Sequence, residues 1–272
     1  MKEGIKVKIG EIRKALKINQ NLTKETVGET GGYSHKEEEW PIYDSRLEGF
    51  EGFGHTFLQS LPNWTNLVDS SKNNTEKILK EYIEKTLTPK GKKQDLCAAE
   101  FGGPGSRLFR GFTPLFFRQT VGVCLKDIRE EKQKEEDEGR NHSVITGNIT
   151  DPINTEVLIK VIQKLGANKI DLIISRMVNP LDYINKNPAI LDRIFRNWYN
   201  ILNVNGLMFI QYNYIADLSN TTITTKIENW ATAIRDRFPE IDIQVTPTVI
   251  RLHKKTGAPE KLPSATQLFR NT

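Results

Sequence analysis

The chain has 272 residues, of which 37% are hydrophobic and 27% are charged, and its formal net charge at pH 7 is +5. This composition is typical of a soluble protein with a substantial core, and no run approaches the roughly 18 apolar residues that a membrane span requires. The N-terminus lacks the apolar segment of a secretory signal. We therefore expect a cytoplasmic protein that does not bind membranes.

The first 90 residues differ in pattern from the rest of the chain. Apolar residues from Ile5 to Leu16 are spaced like one face of a helix, and "TEKILKEYIEKTL" (75–87) predicts a second helix. Residues 28–64 between them are rich in glycine and aromatic residues and have little periodicity. We predict that residues 1–90 form an N-terminal extension, largely helical or irregular, that packs on the core as a candidate lid.

From residue 91 onward, short apolar runs alternate with helical segments. The runs predicted to be strands are residues 95–99, 119–125, 142–148, 169–175 and 207–213. The clearest amphipathic helices are predicted at residues 155–166 and 189–202. This alternation predicts an α/β fold, a doubly wound sheet of mostly parallel strands that are covered on both faces.

The last part of this domain has a different pattern. A helix is predicted at residues 224–238, and "IDIQVTPTVIRLHKK" (241–255) contains two apolar runs that meet near Thr246-Pro247. That connection is too short for a crossover helix, so the two strands have to be antiparallel. We predict a seven-stranded sheet with a C-terminal antiparallel hairpin in residues 91–256, followed by a tail at 257–272.

The cysteines and histidines do not indicate a metal site. The chain has two cysteines, Cys97 and Cys124, both in apolar runs, and its four histidines show no ligand spacing. Two isolated cysteines form neither a disulfide framework nor a zinc motif. We expect buried thiols in a reducing compartment and no bound metal.

A glycine-rich loop follows the first predicted strand, in "LCAAEFGGPGSRLF" (96–109). Ligands of such sheets bind beyond the carboxyl ends of the strands. Gly102, Gly103 and Gly105 allow positive φ angles and a close approach to the main chain, and N–H groups of the loop and the following helix start favour an anion. Glu100 would repel a phosphate but accept hydrogen bonds from an ammonium group. An amino-acid zwitterion therefore fits better than a pyrophosphate.

"AAEFGGPGSRLF" resembles the first motif of class I S-adenosylmethionine-dependent methyltransferases, in which an acidic residue precedes a Gly-x-Gly-x-Gly turn. "TVGVCL", "VITGNITD", "KIDLIIS" and "LNVNGLMFIQ" resemble later elements of that family in the same order. The family's sheet also ends in an antiparallel hairpin. The resemblance covers about residues 90–255 and implies a Rossmann-like fold, S-adenosyl-L-methionine as cofactor, and methyl transfer.

The resemblance also implies roles for individual residues. Gly102, Gly103 and Gly105 would pass beneath the methionine part of the cofactor, and Glu100 would hold the loop or the cofactor's amino group. The donor contact after the fourth predicted strand would involve Ser175, which ends that strand, and Arg176. These residues form the first half of the predicted cofactor site.

The second half of the predicted site departs from the family pattern. The residue that ends the second strand is normally acidic and binds the ribose hydroxyls, but this position is Cys124. A thiol cannot make paired acceptor bonds, so Asp127 would have to reach in or the ribose would be held otherwise. The adenine-side position falls on Asn148, whose amide oxygen can still accept, with Ile149 beside it and Asp151 as a nearby substitute.

No motif in the sequence names the acceptor. "SRMVNPLDY" lacks the Asn/Asp-Pro-Pro-aromatic motif of amino-group methylation, and no Pro-Cys nucleophile is present. We assign no catalytic residue and no oligomeric state; a small molecule or a protein is the favoured acceptor, and the basic charge permits a nucleic acid.

Two alternative functions remain open. Cys124 and Asn148 are compatible with an inactive methyltransferase-fold binding protein. A nicotinamide-dependent oxidoreductase is less favoured, because the loop has Gly-Gly-Pro-Gly and not Gly-x-Gly-x-x-Gly, and because the terminal hairpin argues against it.

Overall fold

The elements of the computed structural model follow the predicted order. The structure describes residues 76–88, 95–113, 115–124, 127, 129, 131–147, 155–175, 188–211, 221–246 and 249–264. The helices are α1 (Glu76–Leu87), α2 (Ser106–Arg110), α3 (Glu131–Glu138), α4 (Thr155–Leu165), α5 (Pro188–Ile201) and α6 (Thr221–Arg237). The strands are β1 (Cys97–Phe101), β2 (Gln119–Cys124), β3 (His142–Thr146), β4 (Ile170–Ser175), β5 (Leu202–Gln211), β6 (Ile241–Val245) and β7 (Val249–Lys254).

The strands form one seven-stranded sheet with the order β3-β2-β1-β4-β5-β7-β6. The first five strands are parallel to one another, and β7 is antiparallel to both β5 and β6. The strand order reverses between β1 and β4, where such sheets bind ligands. The predicted doubly wound, mostly parallel sheet with a terminal antiparallel hairpin is confirmed.

The buried apolar residues form two clusters. One cluster contains Phe101 and Ile173 of the sheet together with the buried faces of α4, α5 and α6. The other contains Ala98 and Leu172 of the same strands together with α1 and α2. Because side chains alternate along a strand, neighbouring residues of β1 and β4 point into different clusters. This double coverage explains why these strands are apolar without interruption.

Helix α4 shows how the apolar spacing determines the local structure. Five of its buried residues recur at the three- and four-residue spacing of one helix face and are Val157, Leu158, Val161, Ile162 and Leu165, and Ile159 beside them is buried as well. The chain leaves the helix at Gly166, whose φ is +60°, a left-handed conformation that glycine adopts at little cost. This helix buries its face against the cluster that contains Phe101.

The two ends of the described chain pack on the same domain. In α1, Ile83 and Leu87 are buried with the sheet residues of the second cluster. In the predicted tail, Leu262 is buried in the first cluster, and the Tyr199 hydroxyl donates to the carbonyl of Pro259. Residues 1–75 of the predicted extension lie outside the described residues. The predicted domain boundaries at 90 and 256 stay predictions.

Candidate functional site

The glycine loop folds back over the sheet instead of extending away from the end of β1. The Gly102 N–H donates to the carbonyl of Val123 in β2, with an N···O distance of 2.8 Å, and Gly103 forms an antiparallel bridge with the same residue. Gly102 has φ of +99°, which a side chain would strain. The Gly102 amide, one of the groups predicted to face a ligand, is therefore bonded to the neighbouring strand.

Glu100 lies under this loop. Its side chain is fully buried, and a β-carbon added to Gly103 would come within 3.0 Å of the Glu100 carboxyl carbon. Only glycine therefore lets the main chain cross the carboxylate at this distance without displacing it. Glu100 therefore packs directly beneath Gly103, and the two roles predicted for it stay predictions.

Pro104 packs on the backbone of β2. A β-carbon added to Gly122 would lie 1.9 Å from the Pro104 carbonyl oxygen, a distance that no packing tolerates. Gly122 pairs with Glu100 in the sheet, so the loop returns across the same part of the sheet that carries the carboxylate. A glycine within a strand often marks such a close approach, and the loop packs here against the backbone of Gly122.

A buried histidine holds the same loop from the next strand. Nε2 of His142 lies 2.7 Å from the Pro104 carbonyl oxygen, and Nδ1 lies 2.8 Å from the Thr120 hydroxyl oxygen. A carbonyl can only accept, so Nε2 carries the hydrogen and the Thr120 hydroxyl donates to Nδ1. Burial lowers the pKa of His142 to about 4, and the ring is neutral at pH 7.

Helix α2 begins directly after the loop and is only five residues long. Gly105, which precedes it, has φ of +71°, and a β-carbon there would come within 3.0 Å of both Phe109 and His142. The Ser106 hydroxyl donates to Oδ1 of Asp137 at 2.8 Å. The helix is a little over one turn long and its first side chain is bonded to α3, and the anion contact expected at its start stays a prediction.

Cys124, at the predicted ribose position, is buried at the end of β2. Its substitute Asp127 accepts hydrogen bonds from Nε and Nη2 of Arg129 at 3.0 and 2.8 Å. Burial alone would raise the pKa of Asp127, but the hydrogen bonds and charge of Arg129 outweigh it and lower that pKa. Asp127 is thus ionised, and both of its carboxylate oxygens already accept hydrogen bonds from Arg129.

Arg129 is itself fixed by Asp137 of α3. Nη1 of Arg129 lies 2.8 Å from Oδ2 of Asp137, and Nη2 of Arg110 lies 3.1 Å from its Oδ1. The Asp137 side chain is 1% exposed, so two arginines and the Ser106 hydroxyl satisfy a carboxylate that is removed from water. This network ties the start of α2 to the segment that follows β2.

Ser175 ends β4, next to β1 in the sheet. The residue is fully buried, and no described residue supplies a hydrogen-bond partner for its hydroxyl oxygen. A buried hydroxyl at a strand end on the reversal point of the sheet is a candidate ligand contact. Asn148 and Ile149 of the predicted site lie outside the described residues, so their roles stay predictions.

Within the described part of the chain, no group of three or more His, Cys, Asp or Glu residues is arranged to hold a metal ion. Both cysteines are buried free thiols, and burial raises the pKa of Cys97 to about 11, so that thiol is protonated and unreactive at pH 7. Across the same residues, every helix is too short or too polar to span a bilayer.

Sequence reasoning missed two features of this site. The spacing of the histidines gave no reason to single out His142, because its contact depends on a loop that returns from another strand. The charged run at 126–140 was interpreted as a solvated helix face or loop. That interpretation was wrong for Asp137, which is buried, and for Arg129, which is partly buried and is paired with it. An arginine beside two nearby aspartates was the available signal, but most such charge runs are solvated.

Comparison with known proteins finds distant structural likenesses. No protein-family model and no curated protein sequence matches the chain. The MycE methyltransferase of the mycinamycin biosynthetic pathway, solved with magnesium, SAH and mycinamycin VI, is 16% identical with a TM-score of 0.38, and the alignment covers 60% of this chain and 42% of that one.

Two further solved structures are similar at comparably low identity and TM-score. An S-adenosylmethionine-dependent methyltransferase from Clostridium acetobutylicum is 18% identical with a TM-score of 0.37, covering 58% of each chain. An O-methyltransferase family protein from Burkholderia thailandensis is 12% identical with a TM-score of 0.42, covering 92% of this chain and 73% of that one. The chain spans less than two thirds of the first two structures, and the fold assignment rests on the strand order above.

Proposed function

We propose that this chain is an S-adenosylmethionine-dependent methyltransferase with its cofactor at the carboxyl ends of β1 and β4. The observation that carries the proposal is the position of Glu100. Its carboxylate is buried at the end of a central strand, beneath a glycine loop, beside the point where the strand order reverses. The antiparallel pairing of β7 with β5 agrees with the terminal hairpin that the resemblance implied.

The residues present fit the cofactor in part. Ser175 offers a buried hydroxyl for a polar group of the ligand, and the carboxylate of Glu100 lies directly under the loop that would pass beneath the cofactor's methionine part. For the ribose, Cys124 is a poor acceptor, and we assign that contact to Asp127, whose carboxylate keeps lone pairs beyond those that Arg129 uses. This assignment follows the sequence-based expectation that Asp127 takes over the ribose contact from Cys124.

When bound, S-adenosylmethionine supplies a methyl group on a sulfonium sulfur. The contribution of this chain is mainly positioning, because an in-line displacement depends on alignment more than on acid–base groups. The loop contacts at Val123 and Gly122 fix the main chain on one side of the ligand. The neutral His142 and the ionised Asp127 hold their hydrogen bonds at neutral pH without a change of protonation.

The acceptor is proposed only as a class. We favour a small molecule or a protein, and the net charge of +5 permits a nucleic acid. A cytoplasmic location is part of the same proposal and is supported by two free cysteine thiols in the described structure.

The test is a calorimetric titration with S-adenosylhomocysteine (SAH), the demethylated product. We expect binding in the micromolar range. Gly103→Arg, which drives a long side chain against Glu100, should abolish binding, and Ser175→Ala should weaken it while the protein stays folded. Gly139→Ala is the matched control, since a β-carbon there meets its nearest atom at 3.7 Å. No binding by the wild type, or wild-type binding by Gly103→Arg, would contradict the proposal.

A second candidate is a methyltransferase-fold protein that binds a nucleoside without catalysis. The observation that favours it is the pair formed by Cys124 and Asp127, because the ribose acceptor is displaced by three residues and is shared with Arg129. Radiolabelled methyl transfer to pooled metabolites, proteins and RNA separates the two. Binding of SAH without any transfer favours the second candidate. Saturable enhancement of NADH fluorescence would instead favour the oxidoreductase.

A further inference from the structure

We infer that His142 is a positioning residue of the cofactor site: it fixes the glycine loop against β2 through the Pro104 carbonyl, in a tautomer that Thr120 selects. The inference rests on the proposed function, because only under that function does the glycine loop contact a cofactor. It concerns a residue of β3 that lies away from the strand ends where the cofactor is proposed to bind.

The loop is attached to the sheet by three contacts, which involve Gly102 and Pro104. Gly102 is bonded to Val123, Pro104 packs on Gly122, and the Pro104 carbonyl accepts from Nε2 of His142 at 2.7 Å. The first contact is a backbone hydrogen bond and the second is van der Waals packing. The third is a hydrogen bond from the His142 side chain, and because it is buried, water cannot replace it at low cost.

The Thr120 hydroxyl determines which nitrogen of His142 carries the hydrogen. Thr120 and His142 are paired residues of β2 and β3, and their side chains meet at 2.8 Å. While the hydroxyl donates to Nδ1, the hydrogen is on Nε2 and points at Pro104. Without the hydroxyl, Nδ1 has no donor, and the other tautomer would place a lone pair of Nε2 against the carbonyl oxygen.

The hydrogen bond between His142 and Pro104 affects the proposed cofactor site through the two glycines that flank Pro104. Gly103, adjacent to Pro104, is the residue whose missing β-carbon leaves room for the carboxylate of Glu100. On the other side, the ring of His142 lies so close to Gly105 that a β-carbon there would be 3.0 Å from Cε1. A displaced Pro104 carbonyl therefore moves Gly103 and Gly105, two of the three glycines that the proposed cofactor contacts. Displacements of about 1 Å are enough to weaken a preorganised site.

The experiment uses two substitutions of Thr120, because replacing His142 itself risks unfolding the protein. Thr120→Val has nearly the same shape and lacks the hydroxyl, whereas Thr120→Ser keeps the hydroxyl. Loss of one buried hydrogen bond should raise the dissociation constant of SAH about fivefold in Thr120→Val. In Thr120→Ser it should stay within about twofold of the wild type.

A control separates positioning from stability. Tyr199→Phe removes a hydrogen bond to Pro259 in another part of the fold. It should lower the melting temperature as much as Thr120→Val does and leave the SAH dissociation constant unchanged. If Thr120→Val, like Tyr199→Phe, loses only thermal stability, the role of His142 is structural and the inference is overturned.

The tautomer gives a spectroscopic readout that a general loss of stability does not move. ¹⁵N NMR of the histidine rings should show His142 protonated at Nε2 in the wild type and in Thr120→Ser. In Thr120→Val a fraction protonated at Nδ1 should appear. A wild-type ring protonated at Nδ1 would overturn the inference while leaving the proposed function in place. Failure of the wild type to bind SAH would overturn both.

Discussion

The Pro104 carbonyl oxygen lies directly over the α-carbon of Gly122, where the β-carbon of any other residue would be 1.9 Å away from it. Gly122→Ala therefore has to displace the loop or the strand. We expect the free energy of unfolding to fall by about 3 kcal/mol and SAH binding to weaken. Chemical denaturation and calorimetry measure the two effects.

Gly139→Ala is the comparison for this substitution, because it adds the same methyl group in ordinary van der Waals contact. It should leave both quantities close to the wild-type values. A Gly122→Ala protein as stable as Gly139→Ala would show that the loop does not occupy the position described here.

Asp137 holds together a network of two arginines and a serine, and its removal should be costly. Asp137→Asn takes from Arg129 and Arg110 the buried carboxylate that they share and leaves each with a more exposed partner, Asp127 or Glu136. The loss of these charge-assisted hydrogen bonds should destabilise the protein by about 2 kcal/mol. Glu136→Gln is the matched control. It breaks a pair with the same Arg110, but Glu136 is 46% exposed, so the cost should be below about 1 kcal/mol. Urea denaturation of both variants distinguishes a buried network from a surface pair.

His142 should make the protein sensitive to mild acid. Its folded-state pKa of about 4 lies below its ordinary value of 6.5, because burial outweighs the attraction of Asp137, and Arg129 and Arg110 add repulsion. As pH falls from 6.5 to 4, the unfolded chain binds a proton that the folded chain refuses, so stability is lost across that window. The contribution is about 3 kcal/mol.

The measurement is the free energy of unfolding at pH 7 and at pH 4.5 in the wild type and in His142→Asn. Carboxylates titrate in both proteins and cancel in the comparison. The wild type should lose more stability than the variant over this interval. Equal losses would show that His142 is accessible to protons in the folded state.

Lys254 should produce a dependence at alkaline pH. Its ammonium is buried, within 3.4 Å of the carbonyl oxygens of Tyr199 and Leu202, and lies 4.1 Å from the centre of the Tyr199 ring. Burial, with repulsion from Lys169, lowers the pKa of Lys254 from 10.5 to about 8. Between these values the unfolded chain binds more protons, so this group makes stability rise with pH.

Lys254→Met removes that contribution. From pH 8 to pH 10, the stability of the wild type relative to the variant should increase by about 2 kcal/mol. The raised pKa of Cys97 acts in the opposite direction, but it acts in both proteins and cancels. A constant difference across this range would mean that Lys254 keeps an ordinary pKa.

The sheet could be predicted from the sequence because its central strands are buried on both faces. Runs such as "LII" in β4 and "LMFI" in β5 have to be apolar throughout when helices cover both sides of the sheet. The hairpin was predicted from the shortness of the connection at Thr246, since a parallel pair needs a crossover. The strand ends were predicted less well: β5 begins at Leu202, inside the predicted helix.

The loop geometry could not be predicted, because it depends on contacts between residues far apart in the sequence. Nothing near "GGPG" indicates that the loop turns back over β2, since the binding surface is Gly122 and the donor is His142. The burial of Asp137 was hidden for a related reason. The helix that carries it is polar on every side, and one of its carboxylates becomes buried only because Arg110 and Ser106 come from another element.

The position of β7 has a consequence for how the domain is assembled during synthesis. β6 is made before β7 but lies outside it, and among the described residues its strand pairing to the sheet runs through β7. A ribosome must therefore extend the chain to Lys254 before either strand can dock, and until then the edge of β5 is open to pairing with another molecule. Stalled or truncated chains that end between the two strands should accordingly be the aggregation-prone products of this sequence.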